Sequence, residues 1–204
     1  MTRTTADVLR YFDERLDAYG SSVRAVDWVS EASQTVRFRV LTAIGLLDGA
    51  TVLDVGSGLG DLASFLAEYH PTARYEGCDV NPRMVGLARA RCPGARFFVG
   101  DPLAGGAEGA WDWILASGIF HLRDEAFLRA MVPTLFARAR LGVAFNLLSA
   151  WAPVQLPDQF YADPARVLDL CRTLTSRCAL RHDYLPHDFT IYLYRDGRGV
   201  PIAP

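Results

Sequence analysis

The chain of 204 residues is half hydrophobic and 22% charged, with a formal net charge of -2. That length suits one core, since single cores stop growing only near about 250 to 300 residues. No apolar run approaches the about 18 residues of a membrane span, and the basic residues, all arginine, form no block, so neither a membrane nor nucleic acid is an expected partner.

The N-terminal twenty residues alternate polar and apolar side chains and lack the apolar stretch of a secretory signal, so the expected compartment is the cytoplasm. Val8, Leu9, Phe12 and Leu16 recur there at helical spacing and Gly20 supplies a stop, predicting an amphipathic helix over 5–18. A second helix is predicted over 31–46, with Val36, Val40, Leu41 and Ile44 inward. From residue 50 the pattern alternates. Strands are predicted over 51–55, 74–79, 95–99, 111–116 and 141–147, and helices over 61–69, 82–91 and 125–137, the second opened by Asn81 as cap and Pro82 at the first turn. Repeated alternation of this kind means a mostly parallel sheet with helices on both faces. The Gly- and Ala-rich stretch 100–109 predicts no helix. Residues 149–162 read as an ordered loop at the mouth of the sheet. A helix over 164–173 follows, then β-rich runs over 177–185 and 189–195 joined as a hairpin by Pro186, His187 and Asp188. Cys78, Cys92, Cys171 and Cys178 form no CxxC pair and read as buried thiols.

The chemistry concentrates in Val52-Leu53-Asp54-Val55-Gly56-Ser57-Gly58-Leu59-Gly60-Asp61, a strand running into glycines and then a helix. Glycines there let the backbone approach a ligand, and the helix start offers unpaired N–H groups. Asp79 follows Gly60 by 19 residues, at the end of the second strand, where an acid can accept both ribose hydroxyls. A dinucleotide fingerprint asks for Gly or Ala where Asp61 stands, which disfavours a pyrophosphate crossing. The run from Asp54 to Gly60 instead resembles motif I of the class I S-adenosylmethionine-dependent methyltransferases, and the resemblance extends over about residues 50 to 147.

That resemblance implies a Rossmann-like α/β fold, a seven-stranded mostly parallel sheet with an antiparallel last strand and helices on both faces; the amphipathic helix ahead of this core is expected to form an N-terminal helical lid. Its domain reading is one unit over 1–204, with a helical cap over 1–49, the core over 50–195 and a tail over 196–204. It implies S-adenosylmethionine (SAM) as cofactor and S-adenosylhomocysteine (SAH) as product. Asp54 and the backbone of Gly56, Ser57, Gly58 and Gly60 would hold the methionine part and Asp79 the ribose. Asp101, with packing by Val80, would take the adenine, while Ser117 and Gly118 would face the sulfonium. Two departures stand out: Pro102 has no N–H to offer adenine, and the usual L-x-P-G-G turn before the fifth strand is replaced by residues 137–142.

A sulfonium methyl is already activated, so the protein chiefly aligns an acceptor and, where needed, removes its proton. No metal spacing or nucleophile elbow is present. His121 is the first candidate general base and His187 the second, with Asn146 a candidate to orient the acceptor; residues in such places are more often simply polar residues of a loop, turn or strand end. Trp151, Phe160 and Tyr161 wall an acceptor pocket or seal the core edge. Tyr11, Tyr19 and Trp28 suit a lid, with Arg37 pairing the cofactor carboxylate or lying on the surface. The leading expectation is methyl transfer to a small-molecule acceptor; the alternatives are a protein methyltransferase and a non-catalytic SAM-binding or partner-binding protein on the same fold.

Overall fold

A computed structural model of the chain describes residues 3–195; the expected tail over 196–204 lies outside the described residues. Helix α1 (Thr5–Tyr19) opens on a capping box in which Thr4 and Asp7 satisfy each other's backbone N–H groups. A 3-10 turn (Val23–Val26) follows and ends on Asp27, whose φ of 68° is the one positive value of a non-glycine among the described residues. Helix α2 (Glu31–Thr42) starts on Ser30 and stops four residues before the predicted end. The Thr42 hydroxyl donates back to the Phe38 carbonyl, and Gly45 lies under the Trp113 ring, where an added Cβ would come within 2.7 Å. Phe38 and Leu41 are its buried apolar residues, whereas Val36 and Val40, expected inward, are only half-buried.

The alternating elements are β1 (Thr51–Val55), α3 (Asp61–Tyr69), β2 (Arg74–Asp79), α4 (Pro82–Arg91), β3 (Arg96–Val99), β4 (Trp111–Ala116), α5 (Glu125–Arg138) and β5 (Ala139–Leu148). They are followed by α6 (Pro164–Arg172), β6 (Cys178–Leu185) and β7 (Asp188–Tyr194). The seven strands form one sheet in the order β3-β2-β1-β4-β5-β7-β6, with β7 antiparallel to both neighbours. Where the family's turn is missing, α5 passes directly into β5 at Ala139. Residues 100–109 hold only a 3-10 turn, Pro102–Ala104. The thiols are unpaired; Cys78 and Cys171 are buried, Cys92 and Cys178 half-buried.

Two apolar layers sandwich the sheet. One joins α5 and α6 to Ile114, Phe145 and Ile191, and the other joins α2 and α3 to Val52, Leu115 and Tyr192. The chain leaves β1 toward β2 and β3, then returns to β4 on the other side of β1, which opens a crevice at the carboxyl ends of β1 and β4.

Candidate active site

A cleft occupies that crevice. Its floor is the turn after β1, its sides are the residues after β2, β3 and β4, and its roof is Val8, Leu9 and Phe12 of α1 with Val26 and Trp28. The floor is shaped by backbone. Gly56 N–H and Ser57 N–H both donate to the Cys78 carbonyl, at 2.8 and 3.0 Å, which curls the chain off the end of β1. Gly56 has φ of 76°, and a Cβ there would stand 2.3 Å from the Ile119 side chain, so only glycine fits. The Ser57 hydroxyl is buried without a partner and lines the cleft. Buried polar atoms are almost always hydrogen-bonded, so an orphaned hydroxyl in a glycine cradle matches a site built for a polar ligand.

Of the four carboxylates that line the cleft, Asp61 is taken up by Gln34 and Arg91, at 3.0 and 2.8 Å, and three remain. Asp54 is fully enclosed; burial pushes its carboxyl up to about 7, against the hydrogen bond donated by Tyr75 at 2.8 Å. Asp79 accepts from the Gly58 and Asn81 N–H groups at 2.9 and 2.8 Å, and burial raises its carboxyl despite these donors. Asp101 caps the 3-10 turn through the Leu103 N–H at 2.9 Å. Val80, Pro102, Ser117 and Gly118 complete the wall. The cradle, the orphaned hydroxyl and the three acids together fit the polar methionine, ribose and adenine parts of SAM.

The remaining expected residues fall into two groups. His121 lines the cleft, with Nδ1 2.7 Å from the Gly118 carbonyl and Nε2 3.0 Å from Asp27 Oδ2. Both ring nitrogens are engaged in this arrangement, which holds the imidazole against the cleft wall between the Gly118 carbonyl and Asp27. Asn146, His187 and Arg37 do not line the cleft. Asn146 is buried behind it, accepting from Gly118 N–H at 2.9 Å and donating to the Ser117 hydroxyl at 3.2 Å, so it braces the wall. Arg37 Nε donates to Asp188 at 2.8 Å and its Nη2 lies 3.1 Å from His187 Nε2, with both charged side chains almost fully buried. The guanidinium expected at the cofactor carboxylate is therefore committed to Asp188 and stacked on Trp28, 4.8 Å from the ring. Burial and the neighbouring Arg37 hold the His187 imidazole below its ordinary range.

Of the aromatics, Trp28 lines the cleft, Tyr11 and Phe160 line a neighbouring cavity, Tyr161 lies in a third, and Trp151 and Tyr19 are exposed. Asp27 went unread in the sequence. Its carboxylate accepts from Tyr11 at 2.9 Å, faces His121 and pairs with Arg15 at 3.0 Å. Burial opposes its charge, but these partners outweigh burial and keep the carboxyl below the usual range. The sequence signal was an acid set between Val26 and Trp28, both of which face the cleft.

Residues 52–139 match the family called Methyltransferase domain. Rv1506c of Mycobacterium tuberculosis, a methyltransferase homologue, is 34% identical over 158 residues, covering 72% of this chain and 95% of that one. The chain belongs to the methyltransferase family. It is a class I SAM-dependent methyltransferase. A trans-aconitate 2-methyltransferase of Enterobacter sp. strain 638 is 31% identical over 63% of this chain, which spans 47% of that relative's length. The fold is shared with magnesium protoporphyrin IX methyltransferase from Synechocystis PCC 6803 with bound SAH, at a TM-score of 0.71 and 18% identity over 95% of this chain and 100% of that one. No helix among the described residues is long and apolar enough to cross a membrane.

Proposed function

We propose that the protein moves the methyl group of SAM to a small-molecule acceptor in the cytoplasm, acting as one methyltransferase domain. When bound, SAM supplies an electrophilic methyl group. In this reading Asp54 and the Gly56–Gly60 turn, with the Ser57 hydroxyl, hold the amino-acid part. Asp79 accepts the ribose hydroxyls, and Asp101, Val80 and Pro102 enclose the adenine. Ser117 and Gly118, braced by Asn146, flank the sulfur. The observation that carries the reading is the ordered set of Asp54, the glycine cradle, Asp79 and Asp101 around one cleft. A small acceptor suits a cleft whose roof is formed by α1 and the turn after it, because such a roof excludes water and aligns reactants. Unpaired thiols suit a reducing compartment.

Calorimetry with SAH and NAD tests the cofactor assignment. SAH at a hundred times its Kd should add about 2.7 kcal/mol of stability, and NAD none. A response to NAD alone overturns the reading. Methyl-labelled SAM then separates an enzyme from a binding protein by whether label leaves the cofactor in a cell extract.

A further inference from the structure

A second cavity of about 840 Å³ adjoins the cofactor cleft, between α1, the start of α5 and the loop at 157–160. The two share Leu122 and Arg123, and the Tyr11 hydroxyl of the second cavity is tied to Asp27, which faces His121 of the first. The cavity's charges are unevenly satisfied. Asp7 is bound by Arg10 at 2.7 Å and by Thr4, Asp124 caps α5 through the Phe127 N–H at 2.9 Å, and Glu14 and Asp158 are exposed. Arg123 is half-buried and makes no ion pair among the described residues; it donates to the Arg3 carbonyl at 3.1 Å and contacts the Thr5 hydroxyl at 3.4 Å. Arg3 lies over the Tyr11 ring at 5.1 Å, and its Nη1 is buried without a partner. Burial disfavours the Arg123 charge, and Asp101 and Asp124 only partly offset this. Cations withdrawn from water are stabilised when an anion pairs with them.

We propose that this second cavity seats the methyl acceptor and selects small organic carboxylates, whose carboxylate is received by Arg123 and Arg3. The proposal rests on the reading of the adjoining cleft as the cofactor's site. Carboxylate recognition by planar guanidinium groups is bidentate and geometrically selective. The Leu122 and Phe160 side chains give the acceptor's carbon skeleton an apolar surface beside those charges.

The test uses the full chain with methyl-labelled SAM and the small-molecule fraction of a cell extract, first split on an anion exchanger into retained and unretained pools. Citrate, succinate and trans-aconitate are assayed beside it, and SAH binding is followed by calorimetry in parallel. The expected result is label entering compounds of the retained pool alone. Arg3→Gln, whose side chain lies outside the cofactor cleft, should raise KM for that acceptor about tenfold with SAH affinity unchanged, the size of one charge-assisted hydrogen bond. Arg123→Gln should raise it as well, and Arg123→Lys should recover part of the loss. Label in the unretained pool, or in neither pool while SAH binds, overturns the proposal, and so does an unchanged KM in Arg3→Gln. If SAH itself produces no heat, the cofactor reading fails and the proposal falls with it.

Discussion

In the floor of the cleft the chain is held by its own backbone: Gly56 and Ser57 donate to the carbonyl of Cys78, whose strand is registered against β1 from Thr51↔Arg74 to Val55↔Cys78. In the roof, the turn at 23–28 is held to the rest by side chains, chiefly the contacts of Asp27 with Tyr11, Arg15 and His121. Moving the floor breaks a strand pair. Moving the roof breaks a few polar contacts and a small apolar cluster of Leu16, Ala25, Leu59 and Met84. The aspartates follow the same division. Asp54 in the floor is raised by burial, whereas Asp27 in the roof is lowered by its partners. A rigid floor and a releasable roof are what a site needs if it is to bind tightly and still exchange its ligand.

The largest effect should come from breaking the floor with Gly56→Ala. The new Cβ meets Ile119 at 2.3 Å on a residue of φ 76°, and strain plus overpacking should cost about 2 to 5 kcal/mol. Gly105→Ala, in the left-handed helical region at φ 79° and ψ 5° but with nothing within 4 Å, should cost only about 1 kcal/mol. Urea unfolding of both variants measures the contrast, and equal losses would show that the floor is no more constrained than the 3-10 turn after β3.

Next in size is the pH response of the floor. The Asp54 carboxyl is raised from 3.8 to about 7, so the folded state binds the extra proton between those values. The contribution is fully present below about pH 4 and disappears as pH rises through 7, with a ceiling of about 4 kcal/mol at about 1.4 kcal/mol per unit. Asp54→Asn, in which the amide oxygen still accepts from Tyr75, should flatten the decline in cofactor-free stability between pH 4 and 7. Chemical unfolding across that range reads it; parallel curves for the two proteins refute the assignment.

The floor was largely legible in the sequence because its parts are local. Asp54 to Asp61 form one contiguous run, and Asp79 ends the very next strand, so strand periodicity and glycine placement locate both. The roof was legible as an amphipathic helix but not as a set of bonds. Asp27 and His121 are 94 residues apart, and Arg37 and Asp188 151 apart. No periodicity links such pairs; only the fold brings α2 against the start of β7. Arg37 therefore reads from the sequence as a partner of the cofactor carboxylate or a surface arginine, because the sequence offers no reason to pair it with an acid on a distant hairpin. The second cavity was hidden likewise, since α1, the start of α5 and the loop at 157–160 meet only in three dimensions.

A smaller effect distinguishes ligand contacts from support within the floor. Asp79 accepts from the Gly58 and Asn81 N–H groups, so Asp79→Ala removes both a support of the turn and the proposed ribose acceptor. Each lost bond to a charged group costs about 1.5 to 3 kcal/mol. SAH affinity should fall at least about tenfold for one such loss, and cofactor-free stability should fall too. Calorimetry and melting together read the two parts. Unchanged SAH affinity alongside reduced stability would make Asp79 a structural residue alone.

The smallest effect is expected where the roof is latched, and it is the most direct probe of the comparison. Asp27→Asn keeps the size and hydrogen-bonding reach of the side chain, and asparagine tolerates the left-handed conformation recorded here, φ 68°. The charge facing His121 and Arg15 is removed and one of the two acceptor oxygens becomes an amide donor, so global stability should fall by about 1 kcal/mol. The floor keeps its own contacts, and the loss should appear as faster opening: less amide hydrogen-exchange protection over 23–28 and quicker SAH dissociation. The pH dependence has the opposite sign to that of Asp54. Because the folded carboxyl of Asp27 lies below 3.8, its contribution is present above that value and is lost as pH falls through the folded one. The native protein should therefore loosen its roof in acid, and Asp27→Asn should be loose at every pH. Protection over 23–28 that is the same in both proteins at neutral pH would mean that the apolar cluster, not the aspartate, holds the roof closed.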